Sequence, residues 1–251
     1  MFVGSTSRIA ASLELRQAGA GAPLVLIHGI QGTADAWSPV LPHLLRRRCV
    51  APNLPGRGLS PRWTAAETRT HDAYYHIDHY ADLVHALLHD LRSRHDGPVS
   101  LAGWSMGVSV ILSLLARHGQ AGIDRIVLVS GTACAVPGAV WFRGESAREV
   151  AEEAHARARR LGLTAVADAD AVAASWASVR AADLRTAAQA VTVPALVIHG
   201  EADDQCPLAH GLWLANHLRA SRWMPLPGVG HAALSQATTA VGEAMRTFLE
   251  A

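Results

Sequence analysis

Val99-Ser100-Leu101-Ala102-Gly103-Trp104-Ser105-Met106-Gly107-Val108 is the stretch on which the fold is decided. Small and apolar residues suited to a buried strand run into a glycine. After Ser105 the chain resumes as an apolar, helix-compatible run to about residue 118. A strand that becomes a helix over so few residues must bend sharply at the serine, and a glycine two positions before and two after leaves room for that bend. The spacing predicts a strand over 99–102, a helix ending near 118, and Ser105 presented at the turn between them.

Outward from this turn, short β-rich runs alternate with longer helical patterns, the mark of a mostly parallel sheet covered by helices. Residues 23–28, 126–129, 195–198 and 222–226 read as further strands, and residues 8–16 alternate as an early edge or antiparallel strand. Residues 77–94 place apolar side chains at Tyr80, Leu83, Val84, Leu87, Leu88 and Leu91, which is helical spacing. A last helix is expected over 237–249. Residues 134–182 break the rhythm: they are Ala- and Arg-rich, helical in propensity and without a strand, and read as an insertion between two strands. No fixed-period repeat interrupts this order.

The bulk numbers bound the function. A chain of 251 residues, half of them hydrophobic and 17% charged, has the material for one large α/β domain with a modest insertion. A net charge of +1 makes no electrostatic case for nucleic acid or an anionic membrane. A small-molecule substrate, free or carrier-bound, is the expected partner; oligomeric state is not legible. No basic region followed by an apolar run opens the chain, and no apolar stretch is long enough to span a bilayer. Cys49, Cys134 and Cys206 are odd in number and scattered, which argues against a disulfide framework and a thiolate metal site. A soluble, cytoplasmic protein is the expectation.

A serine hydroxyl becomes a nucleophile when a base accepts its proton, and the base needs an acid to fix its tautomer. Of the 14 histidines, His231 in Gly228-Val229-Gly230-His231-Ala232 lies after the last expected strand and before the last helix. Asp203 follows the strand over 195–198, with Glu201 and Asp204 as local rivals. Backbone N–H groups for a developing oxyanion are expected from Met106, directly after the serine, and from Ile30 in His28-Gly29-Ile30-Gln31-Gly32. His28 itself is read as a brace for that turn.

With these landmarks, and with Asn53-Leu54-Pro55-Gly56-Arg57-Gly58-Leu59-Ser60, the chain resembles the α/β-hydrolase superfamily, in its compact, small-lidded, carboxylesterase-like form, from about residue 23 to the end. The resemblance implies the order Ser105, Asp203, His231. It favours Asp203, which stands three residues after Gly200 and four before Pro207. It implies an α/β fold with a mostly parallel eight-stranded sheet, a core over 1–133 and 183–251, and a helical lid over 134–182. It also implies ester, thioester or related acyl hydrolysis through an acyl-enzyme, with no cofactor or metal. The alternatives are a C–C bond hydrolase or lyase using the same three residues, and a low-turnover ligand-binding protein. Two positions depart from the pattern: Asn53 stands where Asp is usual, and Val108 where a second glycine is common, so a local packing adjustment is expected there.

The remaining clusters are read modestly. His71, His76, His79, His85 and His89 crowd one segment, and His85 and His89 have i, i+4 spacing, but no HExxH motif stands there and no Cys is nearby, so no metal site is expected. Arg46-Arg47-Arg48 reads as a solvated helix end. Trp37, Trp104, Trp141 and Trp176 are candidates for an apolar substrate pocket.

Overall fold

The computed structural model describes residues 3–5, 13–135 and 141–251. Its strands are β1 (Val3–Ser5), β2 (Leu15–Ala18), β3 (Pro23–Ile27), β4 (Arg48–Pro52), β5 (Val99–Trp104), β6 (Ile123–Val129), β7 (Ala195–Gly200) and β8 (Ser221–Leu226). The helices are α1 (His71–Tyr74), α2 (Ile77–Ser93), α3 (Met106–His118), α4 (Ala147–Arg160), α5 (Ala169–Ala181), α6 (Arg185–Gln189), α7 (Leu208–His217), α8 (Ala233–Gln236) and α9 (Thr238–Glu250). The sheet order is β1-β2-β4-β3-β5-β6-β7-β8. β2 pairs antiparallel with β1 and β4, and every pairing from β4 to β8 is parallel.

Both faces of the sheet's centre are covered, which is why its central strands read as largely apolar runs, whereas β2 and β8 are half-exposed. Successive β3 side chains show the division. Val25 and Ile27 pack into the layer holding α2 and α3, whereas Leu24 and Leu26 pack into the layer holding α9. Burying each such side chain contributes about 1.5–3 kcal/mol.

Of the strand expected over 8–16, only residues 13–16 are described. Residues 8–12 are outside the described set, and β2 begins only at Leu15. The reason is local: the Glu14 carbonyl accepts the Asn53 N–H at 2.8 Å and the Glu14 N–H donates to Ser60 Oγ at 2.9 Å. Backbone groups spent on the 53–60 loop are not available to a ladder.

Arg46-Arg47-Arg48 is likewise not a solvated helix end. Arg48 opens β4, and Arg47 is half-buried, donating to Leu249 O at 3.1 Å and to Ser100 Oγ at 2.6 Å. It ties the end of α9 to the start of β5.

Between β6 and β7 the chain leaves and returns at one neck. Cys134 and Asp183 form an antiparallel bridge, and the Leu184 N–H donates to Ala133 O at 2.7 Å. Within this segment α4 starts on a capping box, with Ser146 and Glu149 satisfying each other's backbone N–H groups, and it packs on α5. α5 in turn packs against α1 and α2.

Candidate active site

The turn at Ser105 takes the shape its flanking residues allow. Ser105 sits at φ 57°, ψ −119°, between β5 and α3. A Cβ on Gly103 would lie 2.5 Å from the Gly107 backbone, and one on Gly107 would lie 2.3 Å from Ile27 O. Neither position can carry a side chain without moving backbone. The expected adjustment at Val108 falls on Gly131, after β6: a Cβ there would come within 2.4 Å of the Val108 side chain.

Three side chains from three loops then meet. Ser105 Oγ lies 2.9 Å from His231 Nε2. His231 Nδ1 lies 2.9 Å from Asp203 Oδ2 and 3.1 Å from Oδ1. All three residues are buried. Asp203 follows β7, and its Oδ1 also accepts the Gln205 N–H at 3.0 Å and the Cys206 N–H at 2.8 Å. Burial by itself would raise this carboxyl, but the His231 hydrogen bond and the two N–H donors outweigh it and hold Asp203 below the usual carboxylate range. The rivals Glu201 and Asp204 are exposed. His231 is in turn held by Trp104, whose Nε1–H donates to the His231 carbonyl at 3.1 Å.

The Ile30 turn stands across from the serine. Gly29 is close enough that an added Cβ would touch the Trp104 ring at 3.1 Å and Ser105 Cβ at 3.2 Å. Met106 is the first residue of α3, so its N–H has no partner four residues back in the helix. Among the described residues neither the Met106 nor the Ile30 N–H donates to a backbone carbonyl outside the regular elements.

His28 braces this turn from beneath. Its Nδ1–H donates to Gly29 O at 2.8 Å, and its Nε2 accepts the Leu54 N–H at 3.1 Å. That pattern requires the neutral ring. Burial, then the nearby Arg57 charge, lowers its pKa to about 3. Burial also lowers His199 and His210, which pack behind the Asp203 loop. Below pH 6.5 the unfolded chain binds protons that these folded histidines refuse, so the stability present above that value drains away as the pH falls, for His28 down to about pH 3. For His28 the loss between pH 7 and pH 5 is about 2 kcal/mol. Urea midpoints of wild type and His28→Asn at both pH values check this, and an unchanged pH slope in the variant would rule it out.

A cavity of about 980 Å³ opens over Ser105 and His231, lined among others by Ile30, Trp104, Trp141, Phe142, Leu161 and Leu163. This volume suits a small organic ligand. Of the four tryptophans expected around a pocket, Trp104 and Trp141 line it, and the Trp141 ring centroid is 6.3 Å from that of His231. Trp176 stands behind them, with its ring 5.0 Å from Trp141 and 5.9 Å from Phe142. Trp37 is not a pocket residue. It is fully buried in the α9 layer, because the 3-10 turn Ala34–Trp37 directs it under the sheet while Asp35 and Ala36 face the cavity.

Sequence reading missed Phe142, and it missed Arg157 of α4, which lines the cavity and bonds Gln205. Neither stands in a strand-end position that would have marked it. His85 stacks on His118, with centroids 4.0 Å apart.

Comparison with known proteins follows this geometry. A family model described as alpha/beta hydrolase fold matches residues 22–168, and one described as TAP-like protein matches residues 163–251. The pimeloyl-[acyl-carrier protein] methyl ester esterase of Aromatoleum aromaticum is 32% identical over 83% of this chain and 90% of its own length. The 2-hydroxymuconate semialdehyde hydrolase of a Pseudomonas species is 28% identical over 87% of this chain and 83% of its own. An esterase from Exiguobacterium antarcticum superposes with a TM-score of 0.80 at 19% identity, covering 99% of this chain and 100% of that one. With a family model matched over more than half its length, the chain belongs to the α/β-hydrolase superfamily and is a hydrolase enzyme of that fold.

Proposed function

We propose that this chain is a serine hydrolase of the carboxylesterase or thioesterase type, cleaving the acyl bond of a small apolar or acyl substrate. The observation that carries the reading is the unbroken series Ser105 Oγ, His231 Nε2, His231 Nδ1 and Asp203, at 2.9 Å per step, opening on the cavity. Ser105 Oγ attacks the carbonyl carbon while His231 takes its proton and Asp203 steadies the imidazolium. The Ile30 and Met106 N–H groups receive the oxyanion. His231 then returns the proton to the leaving group, and water, activated by the same base, releases the acid and frees the serine. No step needs a metal or cofactor.

Residues 134–182, returning at the Cys134–Asp183 bridge, serve as the lid that brings Trp141 and Phe142 over the serine. The acyl-carrier-protein esterase relative supports a carrier-bound ester as one form of substrate. Three free cysteines, two of them buried, accord with a cytoplasmic location, and among the described residues no helix is long and apolar enough to cross a membrane.

The hydroxymuconate hydrolase relative favours a second reading, C–C bond hydrolysis by the same serine. A panel of p-nitrophenyl esters of increasing chain length, set against vinylogous diketones, separates the two. The esterase reading expects a p-nitrophenol burst followed by slower turnover. Diketone cleavage without ester turnover would replace it, and turnover of neither would favour a binding protein on this fold.

A further inference from the structure

We infer that Arg57 is a positioning residue for the oxyanion turn: its buried guanidinium holds the Ile30 carbonyl and couples that turn to helix α5. The inference rests on the serine-hydrolase reading above. Arg57, in the loop after β4, is 0% exposed. Its Nη2 donates to Ile30 O at 2.7 Å and to Ser175 Oγ on α5 at 3.3 Å. Its Nη1 donates to Pro55 O at 2.7 Å and to Tyr80 Oη at 2.5 Å, and Tyr80 Oη lies 2.9 Å from the same Ser175 Oγ.

Every one of these partners is neutral. Among the described residues no carboxylate accepts from Arg57, and the residues outside that set contain no Asp or Glu. Burying a guanidinium with no counter-charge costs several kcal/mol, and here the Nε–H has no hydrogen-bond partner among the described residues either. An apolar side chain would fill the same space without that cost, so stability alone is a poor reason for an arginine here.

What the arginine does supply is a fork that reaches a carbonyl in the turn carrying Ile30. The two peptide planes around Ile30 are gripped from opposite ends of the motif. His28 Nδ1–H holds Gly29 O, in the plane that carries the Ile30 N–H, and Arg57 holds Ile30 O in the next plane. With both planes fixed, neither φ nor ψ of Ile30 can relax, and the N–H stays aimed at the site of the developing charge. The same guanidinium joins α5 through Ser175. Next to it, Gly56 O accepts the Asp168 N–H at 2.9 Å at the start of α5. The guanidinium therefore joins the turn to α5, alongside Gln31, whose Nε2 donates to Ala154 O at 2.6 Å and whose carbonyl accepts the Ala167 N–H at 3.1 Å.

The test uses the full chain and p-nitrophenyl ester turnover, normalised to active sites counted by end-point labelling with a fluorophosphonate. Arg57→Ala, shown folded by circular dichroism, is expected to lose about 10- to 100-fold in kcat with KM within threefold, approaching the loss of one oxyanion donor. Added guanidinium ion should restore part of that rate, which a merely structural role would not give. If the alanine variant does not fold, Arg57→Lys keeps the charge without the fork and should lose about fivefold in kcat at unchanged KM. A folded variant with wild-type kcat, or one whose loss lies in KM alone, overturns the proposal, as does failure of guanidinium to restore Arg57→Ala. A wild type that neither labels nor turns over overturns the serine-hydrolase reading itself.

Discussion

Replacing Ser105 by alanine is expected to end covalent labelling by fluorophosphonates and to lower ester turnover at least about 10⁴-fold, while the fold persists. The chemistry has no substitute nucleophile at this position. Ser130, the other non-glycine residue at positive φ among the described residues, is fully buried, and its hydroxyl has no hydrogen-bond partner among them, so no base activates it. The fold persists because, among the described residues, the Ser105 side chain bonds only to His231, and alanine at φ 57° is strained no more than serine is. The residual rate comes from the oxyanion donors and substrate binding, which the substitution leaves alone. Intact-mass detection of the adduct, with thermal denaturation as the control for folding, checks the expectation. Labelling of Ser105→Ala at the wild-type rate would remove Ser105 from the mechanism.

Much of this site is legible in sequence because it sits where strands end. Ser105 and Asp203 each follow a buried apolar run and His231 follows the half-exposed β8, and a strand that stops near a glycine announces both its end and the loop that carries the side chain. Gly103 and Gly107 were readable for the same reason: the bend leaves no space for Cβ at either place. The central strands are legible to within two or three residues at their ends, since burial on both faces gives them largely apolar composition.

Contacts made between distant segments were not legible. Trp37 and Trp141 are the same residue type, and only the direction in which a 3-10 turn or an inserted loop sends the ring separates a core residue from a cavity wall. Arg57 lies in a motif that was visible, yet its partners Ile30, Tyr80 and Ser175 come from three other parts of the chain. Arg47 looked like one of three solvated arginines until the Leu249 carbonyl and Ser100 hydroxyl were placed beside it. Local pattern fixes elements and strand ends; which long side chain finds which buried acceptor is a property of tertiary packing.

The acid allows an equally large effect to be predicted from its hydrogen bonds alone. In Asp203→Asn the backbone N–H groups of Gln205 and Cys206 still require an acceptor at the Oδ1 position. The amide oxygen must take that place, because an NH₂ group cannot accept. The NH₂ then occupies the Oδ2 position, 2.9 Å from His231 Nδ1, and presents a hydrogen where the carboxylate presented a lone pair. His231 must answer with a lone pair on Nδ1, so its ring proton moves to Nε2 and points at Ser105 Oγ. A ring in that tautomer cannot accept the serine proton. The expected result is a fall in kcat of about 10⁴-fold with the site's geometry intact. Asp204→Asn, at an exposed neighbour on the cavity mouth, should change kcat by no more than about threefold, a surface charge change being worth little. Measuring both variants side by side decides the assignment. Asp203→Asn within tenfold of wild type, or Asp204→Asn the more damaging of the two, would move the acid's role away from Asp203.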